Sequence, residues 1–300
     1  MRESIRNTVR DVKKFKTSYV MISPFLILAG AFVLAPIVIA LYFGFTQYNL
    51  LQPPKWVGLG NYVKLFFYDE LFPVAIKNTL ILSIGITPVS YLICLLLAWL
   101  LNEFKPKSRA ILTLLFYAPA LGNVFFVWQL IFSGDANGLI NAYLLKIGAV
   151  SGPIQWLTDP NYMIGTLFFI LLWASFGMNF LVMIAGMQNV DSSLYEAGAV
   201  DGIKNRWQEL WFITLPCLRP QLLFSAVMTI VGAFNIGPVI DVLCGKPSTQ
   251  YKAWTIMNHL QDYGSVRFEF GYSCAIATVL FLLIVCAQAI VQRLIRKVGT

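Results

Sequence analysis

The strongest constraint on this chain is the placement of its charged residues, which leaves six long intervals without Asp, Glu, Lys or Arg. The intervals cover residues 17–54, 78–102, 110–134, 160–190, 220–240 and 270–292. About 20 mainly apolar residues form a helix that crosses a bilayer, so each interval is long enough for one crossing. We therefore expect an all-α, polytopic membrane protein with six transmembrane helices. The helices are expected near 19–45, 80–101, 110–133, 163–186, 221–244 and 270–294.

Composition supports this interpretation and excludes a soluble globular protein. Apolar residues make up 58% of the chain and charged residues only 12%, against about 25% charged in a typical soluble domain. The net charge of +8 is not gathered into a stripe, because most basic residues flank the apolar intervals. We interpret the basicity as an orientation signal and not as a nucleic-acid surface. The first apolar run is too long for a cleaved signal peptide and is expected to stay as a helix.

Lys and Arg are concentrated at the chain ends and in alternate loops, which predicts that both termini are cytoplasmic. Residues 1–18 are expected to form a basic cytoplasmic tail and residues 295–300 a second, short cytoplasmic tail. Between them, residues 19–294 are expected to form one six-helix domain. Its longest cytoplasmic loop is expected at 189–220.

Motifs that carry catalysis or metal binding do not occur in this sequence. The one histidine, His259, has no Cys/His cluster around it, and the five cysteines lack metal-ligand spacing. Gly245-Lys246 lacks the earlier glycine of a P-loop, so the chain is not expected to bind ATP. Asp241 is the one carboxylate within a predicted span, and it lies toward its outer end, which argues against an ion-driven pump. We expect no enzyme activity, no metal and no cofactor in this chain.

The loop at 189–220 carries the most informative local pattern. Ser193 and Glu196 have capping-box spacing, which predicts a short helix that begins at Leu194. The small residues 197–199 give this helix a face that another backbone can approach closely. Gly202 is expected to end the helix in the left-handed conformation.

The second half of the loop is expected to form another short helix. Apolar residues recur at helical spacing between Arg206 and Thr214, and Leu215-Pro216 is expected to break the helix before the fifth span. On spacing alone, an amphipathic helix pair that merely connects two spans explains this loop equally well.

The loop resembles the "EAA" loop of inner-membrane permease subunits of binding-protein-dependent ABC importers. That pattern reads E-A-A, three residues, G, about nine residues, then I-x-L-P. The matching residues are Glu196-Ala197-Gly198, Asp201-Gly202 and Ile213-Thr214-Leu215-Pro216. Two departures are present, since Gly198 replaces the second alanine and the gap from Gly202 to Ile213 is one residue longer, which affects the register of the second short helix.

The resemblance extends over most of the chain, toward the carbohydrate-uptake branch of the family. Segments 56–83, 114–141, 173–198 and 268–284 resemble the corresponding family segments in the same order. The segment 134–162 is too short for the large outer domain of the maltose-system subunit, which favours the plain six-helix sugar or glycerol-phosphate type.

The resemblance implies a permease subunit in the bacterial cytoplasmic (inner) membrane that translocates a sugar, oligosaccharide or related polyol. It implies a second homologous permease, two ATPase subunits that bind ATP and Mg, and an extracytoplasmic solute-binding protein. The contact that couples this chain to the ATPase is expected at Glu196, Ala197, Gly198, Asp201 and Gly202.

The resemblance also suggests a substrate site near the membrane midplane. Asn235 and Phe234 in span five, with Trp173 and Asn179 in span four, are the expected residues, because amides and aromatic rings suit sugar hydroxyls and C–H faces. An amide in a membrane bundle can equally serve only to join two helices. Two other functions stay open from the residues alone, namely an ion-gradient-driven secondary transporter and a structural subunit of a membrane complex.

Overall fold

The computed structural model describes residues 15–118 and 125–295, and these form a helical protein. The first half contains α1 (Lys16–Phe43), α2 (Gly60–Val63), α3 (Leu71–Asn102), α4 (Pro106–Tyr117), α5 (Phe125–Ile131) and α6 (Leu139–Lys146). The second half contains α7 (Pro160–Ala174), α8 (Met178–Gln188), α9 (Ser192–Val200), α10 (Arg206–Cys217), α11 (Arg219–Phe234), α12 (Gly237–Cys244), α13 (Ile256–Gln261) and α14 (Phe270–Ile295). One antiparallel strand pair departs from the all-α expectation, with β1 (Thr46–Gln47) paired to β2 (Lys55–Trp56).

Four helical segments are long and apolar enough to cross a membrane, and a fifth is a bent pair. The four are Lys16–Phe43, Leu71–Asn102, Pro160–Gln188 and Phe270–Leu294. The fifth joins α10 and α11, which meet at an angle of 79°. The protein is therefore polytopic, with four or five candidate spans in the described residues. The third expected span has its middle at 119–124, and the expected tails fall largely at 1–14 and 296–300, all of which lie outside the described residues.

The fifth span departs from the continuous helix expected at 221–244. Helix α11 ends at Phe234, Asn235 leaves the helical region with φ −102° and ψ 27°, and α12 begins at Gly237. Pro238 explains the break, because it has no N–H to donate to the carbonyl one turn earlier. The fourth span is interrupted in a similar way between Ala174 and Met178.

The bundle has two distinct ends. We call the end that holds α9 and α10 the loop end, and the end that holds the strand pair and α13 the opposite end. At the loop end, α3, α8 and α10 share a hydrophobic core that includes Ala98, Phe180 and Leu210. At the opposite end, α3, α11, α13 and α14 share another core that includes Phe72 and Ile276.

Helix α1 stands apart from these cores. None of its residues between Lys16 and Phe43 is buried, and its last part packs against α14. A helix that is apolar on all sides and exposed within its own chain is suited to contact lipid or other membrane segments.

Candidate functional site

Helix α9 of the loop begins two residues earlier than the sequence predicts. Its N-cap is Asp191, whose carboxylate accepts a hydrogen bond from the backbone N–H of Ser193 at 3.0 Å. The predicted capping box of Ser193 and Glu196 is therefore wrong. A carboxylate is favoured at this position because it also interacts well with the positive end of the helix dipole. This hydrogen bond holds the pKa of Asp191 below its usual range.

The end of α9 is a Schellman cap, and it confirms the prediction for Gly202. Gly202 has φ +93°, a conformation that L side chains rarely adopt. The N–H of Ile203 donates to the carbonyl of Gly198 at 2.9 Å, and the N–H of Gly202 donates to the carbonyl of Ala199 at 3.4 Å. These two bonds are the pair that defines the motif.

The expected ATPase-contact residues do not all face the same way. Glu196, Ala197, Asp201 and Gly202 are exposed, whereas Gly198 is buried. A Cβ added at Gly198 would lie 2.7 Å from Cδ1 of Ile213 and 3.0 Å from Cδ1 of Ile203. The space beside Gly198 is therefore filled by this chain's own side chains, and its place in the ATPase contact stays a prediction.

Helix α10 continues through Pro216, where the sequence predicts a break. Asn205 caps it by accepting from the N–H of Gln208 at 2.9 Å. Its middle, Leu210–Thr214, is a π-helical turn, and Pro216 follows in the first turn of Leu215–Cys217, where its missing N–H matters little. The sharp bend falls instead at Leu218, between α10 and α11. A π turn accommodates one additional residue, which fits the one-residue excess in this loop.

The loop is fastened to the C-terminal end of α3 by side chains that the sequence does not single out. Arg206 bridges Glu103, at 3.0 Å, and Glu209, at 2.7 Å. The rings of Trp99 and Trp207 lie 4.8 Å apart between centroids. Contacts between residues so far apart in sequence have no local signal.

One hydrogen bond ties α9 to the π turn of α10. The hydroxyl groups of Tyr195 and Thr214 lie 2.9 Å apart, and because Thr214 donates its proton to the carbonyl of Glu209 within α10 at 3.2 Å, Tyr195 is the donor. Together with Gly198 against Ile213, these contacts make α9 and α10 one packed unit.

A cavity of about 340 Å³ lies where the fourth and fifth spans are interrupted. One wall is the break between α7 and α8, and another is the break between α11 and α12. Both Asn179 and Asn235 line this cavity, as the sequence predicts for a shared site. Their side-chain amides have no hydrogen-bond partner among the residues that the structure describes. Irregular backbone at membrane depth occurs where it lines a cavity or is buried in protein.

The other two expected substrate residues point elsewhere. Phe234 is buried in the core at the opposite end, together with Trp254 and Ile276. Trp173 packs edge-on against Trp128, with ring centroids 5.0 Å apart, and does not line the cavity. Neither ring lines this cavity, and the assignment of Phe234 and Trp173 to the substrate path stays a prediction.

The cavity is completed by small and apolar residues that sequence reasoning misses. Hydroxyl groups come from Ser90, Ser175 and Thr229, and sulfur atoms come from Met178 and Met228. A local signal exists for the two breaks, namely the glycine in Ser175-Phe176-Gly177 and Pro238 after Asn235. The hydroxyl residues have no such signal.

The opposite end is organised around a buried carboxylate, Asp69. One oxygen accepts from His259 Nε2 at 2.9 Å and from the Tyr272 hydroxyl at 2.6 Å. The other accepts from the N–H groups of Leu71 and Phe72 at the start of α3. Burial raises the pKa of Asp69, but these hydrogen bonds outweigh burial and hold it well below its usual range.

The tautomer of His259 follows from its second partner. The indole N–H of Trp254 lies 3.2 Å from His259 Nδ1, and an indole N–H can only donate. Nδ1 is therefore the acceptor, and His259 donates its Nε2 proton to Asp69. This network joins α3, α13 and α14, and no sequence motif predicts it. Among the described residues, no group of three or more His, Cys, Asp or Glu is placed to hold a metal ion.

Comparison with known proteins gives consistent matches over most of the chain. Residues 90–300 match the family described as "Binding-protein-dependent transport system inner membrane component". The chain is 33% identical to "Probable ABC transporter permease protein YesP" of Bacillus subtilis (strain 168), over 92% of this chain and 89% of that protein. It is 28% identical to "Lactose transport system permease protein LacF" of Rhizobium radiobacter, over 89% of each chain.

A solved structure matches the fold over nearly its whole length. It is the crystal structure of a bacterial ABC transporter involved in the import of the acidic polysaccharide alginate. The TM-score is 0.76 at 25% identity, and the match covers 98% of this chain and 100% of the other.

Proposed function

Since this chain belongs to the family of binding-protein-dependent transport system inner membrane components, we propose that it forms half of the translocation path of an ATP-driven carbohydrate importer. It is a multi-pass inner-membrane permease subunit, and its role is transport and not catalysis. The proposed substrate is a sugar, an oligosaccharide or a related polyol, delivered by an extracytoplasmic binding protein. The proposed complex also contains a second permease and two ATPase subunits, which bind ATP and Mg.

In the proposed topology six helices cross the membrane and both termini are cytoplasmic. The loop end then faces the cytoplasm, and the Asp69 network faces the outside. The third crossing is proposed at 110–133, a segment that includes most of α4 and all of α5.

The observation that carries the coupling proposal is an exposed apolar face on α9. Leu194 and Val200 are 43% and 89% exposed, and Ala197 is exposed between them at helical spacing. Apolar side chains grouped on an exposed helix face favour burial against a partner. Glu196, Asp201 and Gly202 border this face, and we propose that the ATPase subunit docks there. Gly198 supports the face from behind.

Co-purification with the ATPase subunit tests this docking site. Val200→Lys places a charge in the apolar face and is expected to abolish co-purification from detergent. Val266→Lys is the matched control, since Val266 is 58% exposed at the opposite end and its variant is expected to retain the ATPase. Equal recovery with both variants would contradict the docking site. Absence of ATPase with well-folded wild type would favour the ion-driven carrier.

We also propose that the cavity between the interrupted spans is the substrate path. Asn179 and Asn235 would supply hydrogen bonds to substrate hydroxyls, and helix breaks at this depth suit a binding site. Asn179→Leu and Asn235→Leu test this path, because each replaces a hydrogen-bonding amide with an apolar side chain.

A further inference from the structure

The hydrogen-bonding capacity of the cavity discriminates between neutral and acidic substrates. Each of its three hydroxyl groups already donates its proton to a backbone carbonyl. Ser90 donates to Thr87 at 3.2 Å, Ser175 to Leu172 at 2.6 Å, and Thr229 to Ser225 at 2.8 Å. A serine or threonine hydroxyl has one proton and two lone pairs, so while these bonds to the backbone are kept the oxygens accept from a ligand and do not donate.

The two amides supply the complementary half. Asn179 and Asn235 each offer an NH₂ donor and a carbonyl acceptor, and neither is engaged within the part of the chain that the structure describes. The side chains of the lining therefore offer donors at two positions and acceptors at five. A sugar hydroxyl both donates and accepts, so a polyol satisfies this set. A carboxylate, phosphate or sulfonate can only accept, so it would leave the hydroxyl oxygens facing its own oxygens.

Charge leads to the same conclusion. None of the described residues that line the cavity is ionisable, and the surrounding segments 78–102, 110–134, 160–190 and 220–240 contain no Asp, Glu, Lys or Arg. An anion at this depth is expensive unless a cation compensates it. Helix dipoles do not supply the missing charge, because α7 and α11 end at the cavity while α8 and α12 begin there. Their opposing ends offset one another.

We propose that the substrate of this cavity is an uncharged polyhydroxy compound, because this chain's half of the path supplies no cation that would compensate an acidic sugar or a sugar phosphate. The inference rests on the proposed function and narrows it. It separates this chain from the structurally similar importer of the acidic polysaccharide alginate and from a relative named for sn-glycerol-3-phosphate transport, and it agrees in chemistry with the relative named for lactose transport.

Uptake from a mixture of neutral and acidic compounds tests the inference. The substrate itself need not be identified before the experiment. The complete importer, with its binding protein, is reconstituted into vesicles loaded with ATP. The outside solution contains lactose, sn-glycerol 3-phosphate and mixed digests of arabinan, starch, pectin and alginate. Compounds that accumulate are identified by mass spectrometry, with vesicles lacking ATP as the reference.

We expect more than tenfold ATP-dependent accumulation of uncharged compounds only. Accumulation of any carboxylated, phosphorylated or sulfonated compound would overturn the inference while leaving the importer function intact. Accumulation of no carbohydrate would contradict the proposed function itself, and the inference with it.

Two variants assign the selection to the cavity and not to the binding protein. Asn235→Leu and Asn179→Leu are each expected to lower accumulation about tenfold, because substrate hydroxyls would face an apolar surface. Asn161→Leu, an exposed amide outside the cavity, is the matched control and is expected to behave as wild type. Retained ATPase co-purification verifies that each variant is assembled. Unchanged accumulation in both cavity variants would overturn the assignment.

Discussion

Replacing Gly198 with alanine tests how the two halves of the 189–220 loop are packed. The new Cβ would lie 2.7 Å from Cδ1 of Ile213 and 3.0 Å from Cδ1 of Ile203, against about 3.5–4.0 Å for comfortable carbon contacts. Overpacking of this kind typically costs about 1–3 kcal/mol. Because both opposing atoms are the ends of side chains that can shift, we expect about 1–2 kcal/mol, in the lower part of that range.

Trypsin cleavage after Lys204 measures this cost locally, because Lys204 lies between the two helices of the loop. A loss of about 1–2 kcal/mol raises the opened fraction about 5- to 30-fold, and cleavage follows that fraction when opening is fast. Ile213→Val removes the nearer of the two clashing methyl groups, so the double variant with Gly198→Ala is expected to be cleaved much more slowly than Gly198→Ala alone. Gly165→Ala is the control, since nothing lies near its added Cβ.

Cleavage of Gly198→Ala at the wild-type rate would refute the packing of α9 against α10. Failure of Ile213→Val to slow the cleavage of Gly198→Ala would show that another contact is responsible. Gly165→Ala should be cleaved after Lys204 at the wild-type rate, because its added methyl group lies in another helix and meets no atom.

Three further perturbations test other parts of the molecule. The Cβ added by Gly202→Ala would contact no other atom, so the expected loss of about 1–2 kcal/mol in stability comes only from the left-handed backbone conformation. Co-purification of the ATPase should fall in Gly202→Ala and fall less in Gly202→Asn. Equal recovery of the ATPase with both variants would contradict this. Arg206→Gln and Glu103→Gln should each lower the amount of substrate transported per ATP hydrolysed. Thermal stability should barely change, because the ion pair is exposed. The double variant should lose no more transport per ATP than either single variant, and additive losses would exclude a shared contact. The pKa of Asp69 in the folded protein is below its unfolded value, so the contribution of Asp69 to stability is fully present above about pH 4 and is lost as the pH falls below that. Asp69→Asn should lower the thermal midpoint at pH 7 and weaken the dependence of that midpoint on acid pH. An unchanged pH profile of the thermal midpoint would contradict the role of this network.

Several features of the loop follow from the sequence because they depend on local interactions. Gly202 ends a helix in the left-handed conformation wherever the preceding residues are helical, and this prediction is confirmed. The start of the same helix is predicted incorrectly, because Asp191 and Ser193 are both good N-caps and the sequence does not decide between them. Pro216 is predicted as a helix breaker, but the preceding π turn leaves it at a position where no N–H is needed.

The family and the transport function are predicted from the sequence and confirmed by the comparisons. That success depends on several short segments that occur in a fixed order along the chain. The docking and substrate residues stay proposals; Asn179 and Asn235 line the cavity, whereas Phe234 and Trp173 do not.

The sequence by itself determines that this chain is a polytopic membrane protein, because a span is defined by the length of an uncharged apolar run against the thickness of a bilayer. It does not determine which face of each span points inward. Lipid and protein interior are about equally apolar, so the two faces of a membrane helix carry no contrast that could be read from the residues. Only packing against neighbouring helices turns Asn235 into the cavity, turns Phe234 into a core and brings Asp69 to His259.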